Sequence, residues 1–174
     1  MRPDIHAGLA YLAWTAYTHL SATRPPTDAE FWVVIFGSQF PDLVDKPLAW
    51  TFGVLPSGRS LGHSLLTAAI LVVVLRRYLS RDRDVLVTAF AVSVVGHDLL
   101  DAIPPLQRGQ PAYVRYLLWP VVDQPPYDTS RSLLDSLVGG MFHGEWGLSS
   151  LAILLVALVW IADGTPGLPI GDGE

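Results

Sequence analysis

Three short motifs of aspartate and histidine each stand at the border of an apolar run. They are Phe-Pro-Asp-Leu-Val-Asp at 40–45, Arg-Ser-Leu-Gly-His-Ser at 59–64 and Gly-His-Asp-Leu-Leu-Asp at 96–101. His6 stands near the start of the first such run. Ionisable groups beside apolar segments are costly unless solvated, paired or bound to a metal. The folds open to this chain are therefore those that gather the motifs at one end of a set of helices. Metal-binding chemistry at a membrane surface uses all of the motifs together.

Five apolar runs carry the motifs: 5–23, 31–41, 60–75, 85–100 and 146–162. A spanning helix needs about 20 residues, and the runs reach that length only with their polar ends. Short runs fit a thin bilayer. The chain is 51% apolar and 16% charged, against about 25% charged in a soluble domain, and its mean hydropathy is +0.38. That little charge points to a lipid-facing protein; a soluble all-α protein with buried helices is the alternative. The expected fold is all-α: a polytopic membrane helical bundle of about five apolar helices. Residues 1–162 form one domain, and 163–174, rich in Gly, Pro and Asp, form a flexible tail. A cleaved signal peptide is not expected, because no compact aliphatic run precedes a small-residue cleavage site.

Local signals divide the runs. Thr27 precedes Glu30 at capping-box spacing, behind the breaker Arg24-Pro25-Pro26. Pro41 and Pro47 bracket Asp42 and Asp45, which predicts a loop or a broken helix there. Pro104-Pro105 predicts the end of the fourth run just after Asp101. Residues 104–130 hold six of the fourteen prolines with Tyr113, Tyr116, Trp119 and Tyr127, which reads as an interfacial loop with its aromatics at headgroup level. Arg76, Arg77, Arg81 and Arg83 fill the link between the third and fourth runs, and the positive-inside bias makes that link cytoplasmic. Following the chain from there brings His6, Asp42, Asp45, His63, His97 and Asp101 to the same, extracytoplasmic side.

The chain has no cysteine, so a metal must be held by imidazole and carboxylate, which favours Zn²⁺ or Mn²⁺. A net charge of −5 does not suggest non-specific nucleic-acid binding. His97 and Asp101, four apart, share a helix face; without a metal they would be a helix-end hydrogen bond. Asp98 points elsewhere, as an outer partner or as the group that takes a proton from water. Asp42 and Asp45 are terminal or bridging ligands, or else a solvated turn with Asp as a cap. Arg59, ahead of His63, is a candidate anion clamp because guanidinium matches a phosphate fork; its plain reading is an interfacial Arg that snorkels. His19 falls at the far end of the first helix, outside the cluster. His143 and Glu145 form a separate pair that could complete it. No nucleophile elbow, P-loop, dinucleotide motif or HExxH is present.

The order of these elements resembles the membrane-bound metal-dependent hydrolase family, the YdjM-like, LexA-binding, inner membrane-associated hydrolases. That family shows a Gly-His near the N-terminus, a Leu-Pro-Asp-hydrophobic-Asp element, Arg-Gly-x-Thr-His-Ser, and His-x-x-x-Asp followed by Trp-Pro. The matching residues are His6, Phe40-Pro41-Asp42 with Asp45, Arg59 with His63-Ser64, His97 with Asp101, and Trp119-Pro120. Here the second Asp follows the first by three residues rather than two, and Ser60-Leu61-Gly62 replaces Gly-x-Thr. A more distant likeness, at fold level, is to the helical zinc-dependent phospholipase C and single-strand nuclease group, which implies phosphodiester chemistry on clustered His and Asp.

The resemblance and the residues together imply a metal-dependent hydrolase of a phosphoester in a lipid or lipid-linked substrate. One to three ions would be held by His6, Asp42, Asp45, His63, His97 and Asp101, with Arg59 on the phosphate and Asp98 as base. The rival is a non-enzymatic membrane protein that binds or transports a divalent ion with the same cluster. Membrane lipid and a phosphate-containing small molecule are the expected partners. Nothing in the sequence speaks to oligomeric state.

Overall fold

The computed structural model describes residues 3–125 and 148–168. The described residues form helices and turns, with no strand among them. Helix α1 (Pro3–Ala22) opens on a proline, whose missing N–H costs nothing in a first turn. It ends at Thr23, which takes a left-handed φ of 52°. Helix α2 (Asp28–Lys46) starts at the expected capping box: the Glu30 amide donates to Thr27 Oγ1 at 3.3 Å, and the Thr27 amide donates to Glu30 Oε2 at 3.0 Å. Arg24 closes the turn with a two-pronged pair to Glu30. Burial alone would raise the Glu30 carboxyl, but Arg24 and the Thr27 amide outweigh it and hold the group below its usual range. Thr27→Ala is expected to cost about 1 kcal/mol, read as a lower thermal midpoint in detergent.

The expected break at Pro41 is corrected. Helix α2 runs through it to Lys46 and continues as one π-helical turn, Pro47–Thr51. Tertiary packing holds the turn that local propensity would open. Gly37, Ser38 and Pro41 are buried, and a Cβ at Gly37 would lie 3.0 Å from Ser93 Cβ and 3.2 Å from the Phe90 carbonyl on helix α4. Gly37→Ala is therefore expected to destabilise by overpacking, by about 1–3 kcal/mol, visible in the same thermal melt.

Helix α3 (Leu65–Tyr78) is capped by Ser64, whose Oγ accepts from the Leu66 and Thr67 amides. His63 thus lies in the preceding loop rather than opening the helix. A 3₁₀ turn (Arg81–Arg83) leads into α4 (Asp84–Gln107). The expected stop at Pro104-Pro105 is also corrected. Both prolines fall in the last turn of α4, where each gives up its bond to the carbonyl four residues back and the helix ends two residues later, at Gln107. A 3₁₀ segment (Pro111–Leu118) follows. Tyr116 is not at headgroup level as expected but 1% exposed, and its hydroxyl donates to the Asp98 carbonyl at 2.9 Å. Tyr127 lies outside the described residues.

Helix α5 (Leu148–Ala162) packs on α1, while α2 and α4 form the central pair. Ala10, Tyr11 and Trp14 of α1 meet Val34 and Ala89 in one core cluster, and Ala68, Phe90 and Val94 make a second. The expected tail does not begin at 163. The Asp163 carboxylate accepts from Tyr11, Thr15 and His19 at 2.6, 2.5 and 2.7 Å, and the Gly167 amide donates to Asp28 at 2.6 Å. These bonds fasten 163–167 to the first two helices.

Among the described residues one helical stretch, Arg81–Gln107, is long and apolar enough to cross a membrane; the apolar part of α5, Leu151–Ala162, is shorter. Large apolar side chains stand exposed along the outer faces: Trp32 and Phe36 on α2, Ile70 and Val73 on α3, Leu154 and Leu158 on α5. Exposed apolar faces of this kind mark surfaces that meet a membrane or another protein.

Candidate metal centre

Alternating helix directions bring four chain segments to one end of the bundle. His6 comes from the first turns of α1, Asp42 from the last turns of α2, His63 from the loop before α3, and His97 and Asp101 from adjacent turns of α4. His63 Nε2 lies 3.2 Å from His97 Nε2, 3.5 Å from Asp42 Oδ1 and 3.8 Å from Asp101 Oδ2. His97 Nε2 lies 4.0 Å from Asp42 Oδ1. The His6 ring stacks on that of His97 with centroids 4.0 Å apart, and its Nε2 is 3.2 Å from Asp101 Oδ1. Every imidazole of the cluster is buried. Two overlapping groups can hold a metal ion, His6–His97–Asp101 and Asp42–His63–His97.

The hydrogen bonds behind the rings decide what faces the centre. His97 Nδ1 donates to the Ser38 carbonyl at 2.6 Å, which leaves Nε2 as the lone-pair nitrogen of the neutral ring. His63 Nδ1 meets the Asp45 carboxylate at 2.8 Å, with the same consequence. Two lone pairs 3.2 Å apart would repel, so this contact is relieved by a proton on His63 Nε2 or by a metal ion in its place. Ligand atoms on a tetrahedral ion with bonds of 2.0–2.2 Å are about 3.3–3.6 Å apart, close to the separations observed. His63, in its interhelical loop, shows the same demand for positive charge. Burial pushes its pKa down, but Asp42 and Asp45 outweigh that and raise it to about 9. A metal ion would displace that proton, so affinity is expected to climb with pH, by about tenfold per unit for one proton released, and to level off near 9. A chelator-competition titration across pH reads this directly.

Asp45 stands behind His63, fully buried, with both oxygens engaged by donors of the chain. Arg59 reaches Asp101 Oδ2 at 2.8 Å and lies over the Tyr116 ring, 5.7 Å from its centroid. Asp98 is buried, and among the described residues neither of its oxygens has a hydrogen-bond partner. His19 is bound to Asp163, apart from the cluster, as expected. His143 and Glu145 lie outside the described residues.

Sequence reasoning missed three contributors. Lys46 Nζ donates to Asp42 Oδ2 at 2.6 Å; its signal was there, four residues after Asp42 and the sole lysine of the chain. Tyr116 packs edge-on to His63 with centroids 5.8 Å apart. The Ser38 carbonyl, a backbone group, leaves no trace in side-chain patterns.

The family model described as YdjM inner membrane protein matches residues 1–165, nearly the whole chain and every member of the cluster. The chain belongs to the YdjM inner membrane protein family. No curated protein and no solved structure matches it. The match runs past residue 120, where the motif resemblance ends, to residue 165. An inner-membrane setting for a YdjM protein also accounts for the apolar side chains exposed along α2, α3 and α5.

Proposed function

We propose that this YdjM-family chain is a membrane-bound, metal-dependent hydrolase acting on a phosphoester in a lipid or lipid-linked molecule. The observation that carries the metal is the convergence of the Nε2 atoms of His63 and His97, 3.2 Å apart, with the oxygens of Asp42 and Asp101 beside them. These four residues would hold one ion, Zn²⁺ or Mn²⁺. The two possible groups share His97, whose Nδ1 is taken by the Ser38 carbonyl; the lone pair left at Nε2 serves one ion, which favours one over the two or three open to the sequence. His6, stacked on His97 and beside Asp101, steadies both from outside. Such an ion, with a coordination position for water besides these ligands, would lower the pKa of that water and polarise a phosphoryl oxygen.

The chain's own groups supply the rest. Lys46 and Arg59 each hold an oxygen of a ligand carboxylate, so two cations border the centre and suit an anionic substrate. Asp98, buried and with neither oxygen hydrogen-bonded, is the carboxylate available to receive a proton. The phosphoester class is what the sequence resemblance implies. The lipid class draws its support from the membrane setting.

We read the chain as multi-pass, with the centre on the extracytoplasmic side, because Arg76, Arg77, Arg81 and Arg83 cluster at the opposite ends of α3 and α4. In this cysteine-free chain, single cysteines at Phe52 and Ser80 test the orientation. An impermeant thiol reagent is expected to label position 52 from outside and position 80 only after lysis; the reverse would invert the topology. The activity test is a screen of phosphomonoester and phosphodiester lipids with Zn²⁺- or Mn²⁺-loaded protein, wild type beside Asp101→Asn. Turnover lost in the variant supports the hydrolase. Tight metal binding with no turnover on either class would favour a non-enzymatic metal-binding protein.

A further inference from the structure

We infer that Asp45 is a positioning residue of the metal centre: it fixes the tautomer and direction of the His63 ring without touching the ion. The consequence for metal binding rests on the metal reading proposed above; the orientation itself does not.

A carboxylate offers about four lone-pair sites, and four donors of the chain converge on Asp45, one at Oδ1 and three at Oδ2. Asp45 Oδ1 accepts from the Gly62 amide at 2.7 Å. Oδ2 accepts from the Ser60 amide at 2.6 Å, the His63 amide at 3.2 Å and His63 Nδ1 at 2.8 Å. The side chain is fully buried. To ligate an ion through Oδ2, as the sequence led us to expect of Asp45, it would have to give up the buried Ser60 and His63 amides and the His63 ring. Held as it is, it accepts the hydrogen bond from His63 Nδ1–H and turns Nε2 toward His97 and Asp42. A carboxylate behind a ligating imidazole also raises the basicity of the ring.

The loop is shaped for this task. A Cβ on Gly62 would lie 2.8 Å from the Pro41 carbonyl oxygen and 3.0 Å from Pro41 Cα, so only glycine lets the 60–63 amides close over the end of α2. Ser60 is further tied by its hydroxyl to the Ser57 carbonyl, and Gln124 donates to both Ser57 and Ser60. The Ser60-Leu61-Gly62 sequence, a departure from the family pattern, thereby gains a role.

The test compares Asp45→Asn with Asp42→Asn in purified full-length protein, using Co²⁺ as a spectroscopic probe and Zn²⁺ competition against a chelating dye. Asp45→Asn is expected to bind one ion at saturation, with the visible Co²⁺ spectrum of the wild type and a Kd raised by roughly 10–100-fold. Asp42→Asn is expected to change the spectrum itself. An Asp45→Asn spectrum altered in the manner of Asp42→Asn would make Asp45 a ligand, and an unchanged Kd would make it a purely structural residue; either overturns the inference. Should Asp45→Asn fail to fold, histidine ¹⁵N resonances of wild-type protein decide. The Nδ1–H tautomer is expected for His63 in alkaline metal-free protein and in Zn²⁺-loaded protein, and an Nε2–H tautomer in the metal-free form would refute the inference. A wild type that binds no metal at all would defeat the proposed function, and the metal-free tautomer would still decide the orientation.

Discussion

Replacing His97 by alanine is expected to empty the centre. His97 belongs to both groups that can hold an ion, so its loss takes a ligand from each. Loss of an outer-shell partner costs about 10–100-fold in affinity; loss of this shared ligand should exceed the upper end of that range and leave no metal after dialysis. The same substitution removes the bond from His97 Nδ1 to the Ser38 carbonyl at 2.6 Å, so some stability goes with it. The two effects separate in a thermal melt. Wild type should melt higher with added Zn²⁺, as a ligand that binds only the folded state requires, whereas His97→Ala should melt lower and show no response. His6→Ala should still bind the ion, because Asp42, His63, His97 and Asp101 remain.

The second large effect is expected at the other end of α1. Asp163→Ala removes one acceptor from three donors at once: the Tyr11 and Thr15 hydroxyls and His19 Nε2. Tyr11 and Thr15 are 1% and 5% exposed, so their hydroxyls find little water. With hydrogen bonds to charged groups contributing about 1.5–3 kcal/mol each, and the His19 bond discounted because that ring is half exposed, a loss of about 3–5 kcal/mol is expected. Metal binding should survive, since the clamp is remote from His63 and His97. The clamp also carries a pH signature. Burial pushes the Asp163 carboxyl up, but bonds from Thr15, Tyr11 and His19 outweigh it and leave the folded pKa below the usual value. Its stabilisation is therefore complete above the unfolded carboxyl pKa of about 3.9 and is lost as pH falls below that toward the folded value. Wild type should lose thermal stability in that acid range, and Asp163→Ala should lose less.

What the sequence disclosed and what it hid divide along a physical line. His97 and Asp101 were legible because a four-residue spacing fixes a shared helix face wherever the helix goes. The Thr27–Glu30 capping box was legible for the same reason. Bringing Asp42 and His63 to that pair required only alternating helix directions. Pro41 and Pro104 misled because proline's local preference was read without the packing of α2 on α4, or of α4 on the 3₁₀ segment that follows it. Asp45 could not be told from a ligand by spacing. Its role depends on the 57–63 loop folding back so that three amides reach one carboxylate, and that is a long-range event. Tyr116 was taken for an interfacial aromatic because nothing local signals that the segment after α4 folds under His63.

The most direct measurement is the metal content and X-ray absorption spectrum of wild-type protein purified in detergent and reconstituted with Zn²⁺ or Mn²⁺. One equivalent, with two imidazoles and oxygen donors around it, is the expected result from His63, His97, Asp42 and Asp101. Two or more ions per chain would contradict the shared role of His97. No bound ion after reconstitution would reduce the cluster to buried hydrogen bonding and remove the basis for hydrolysis.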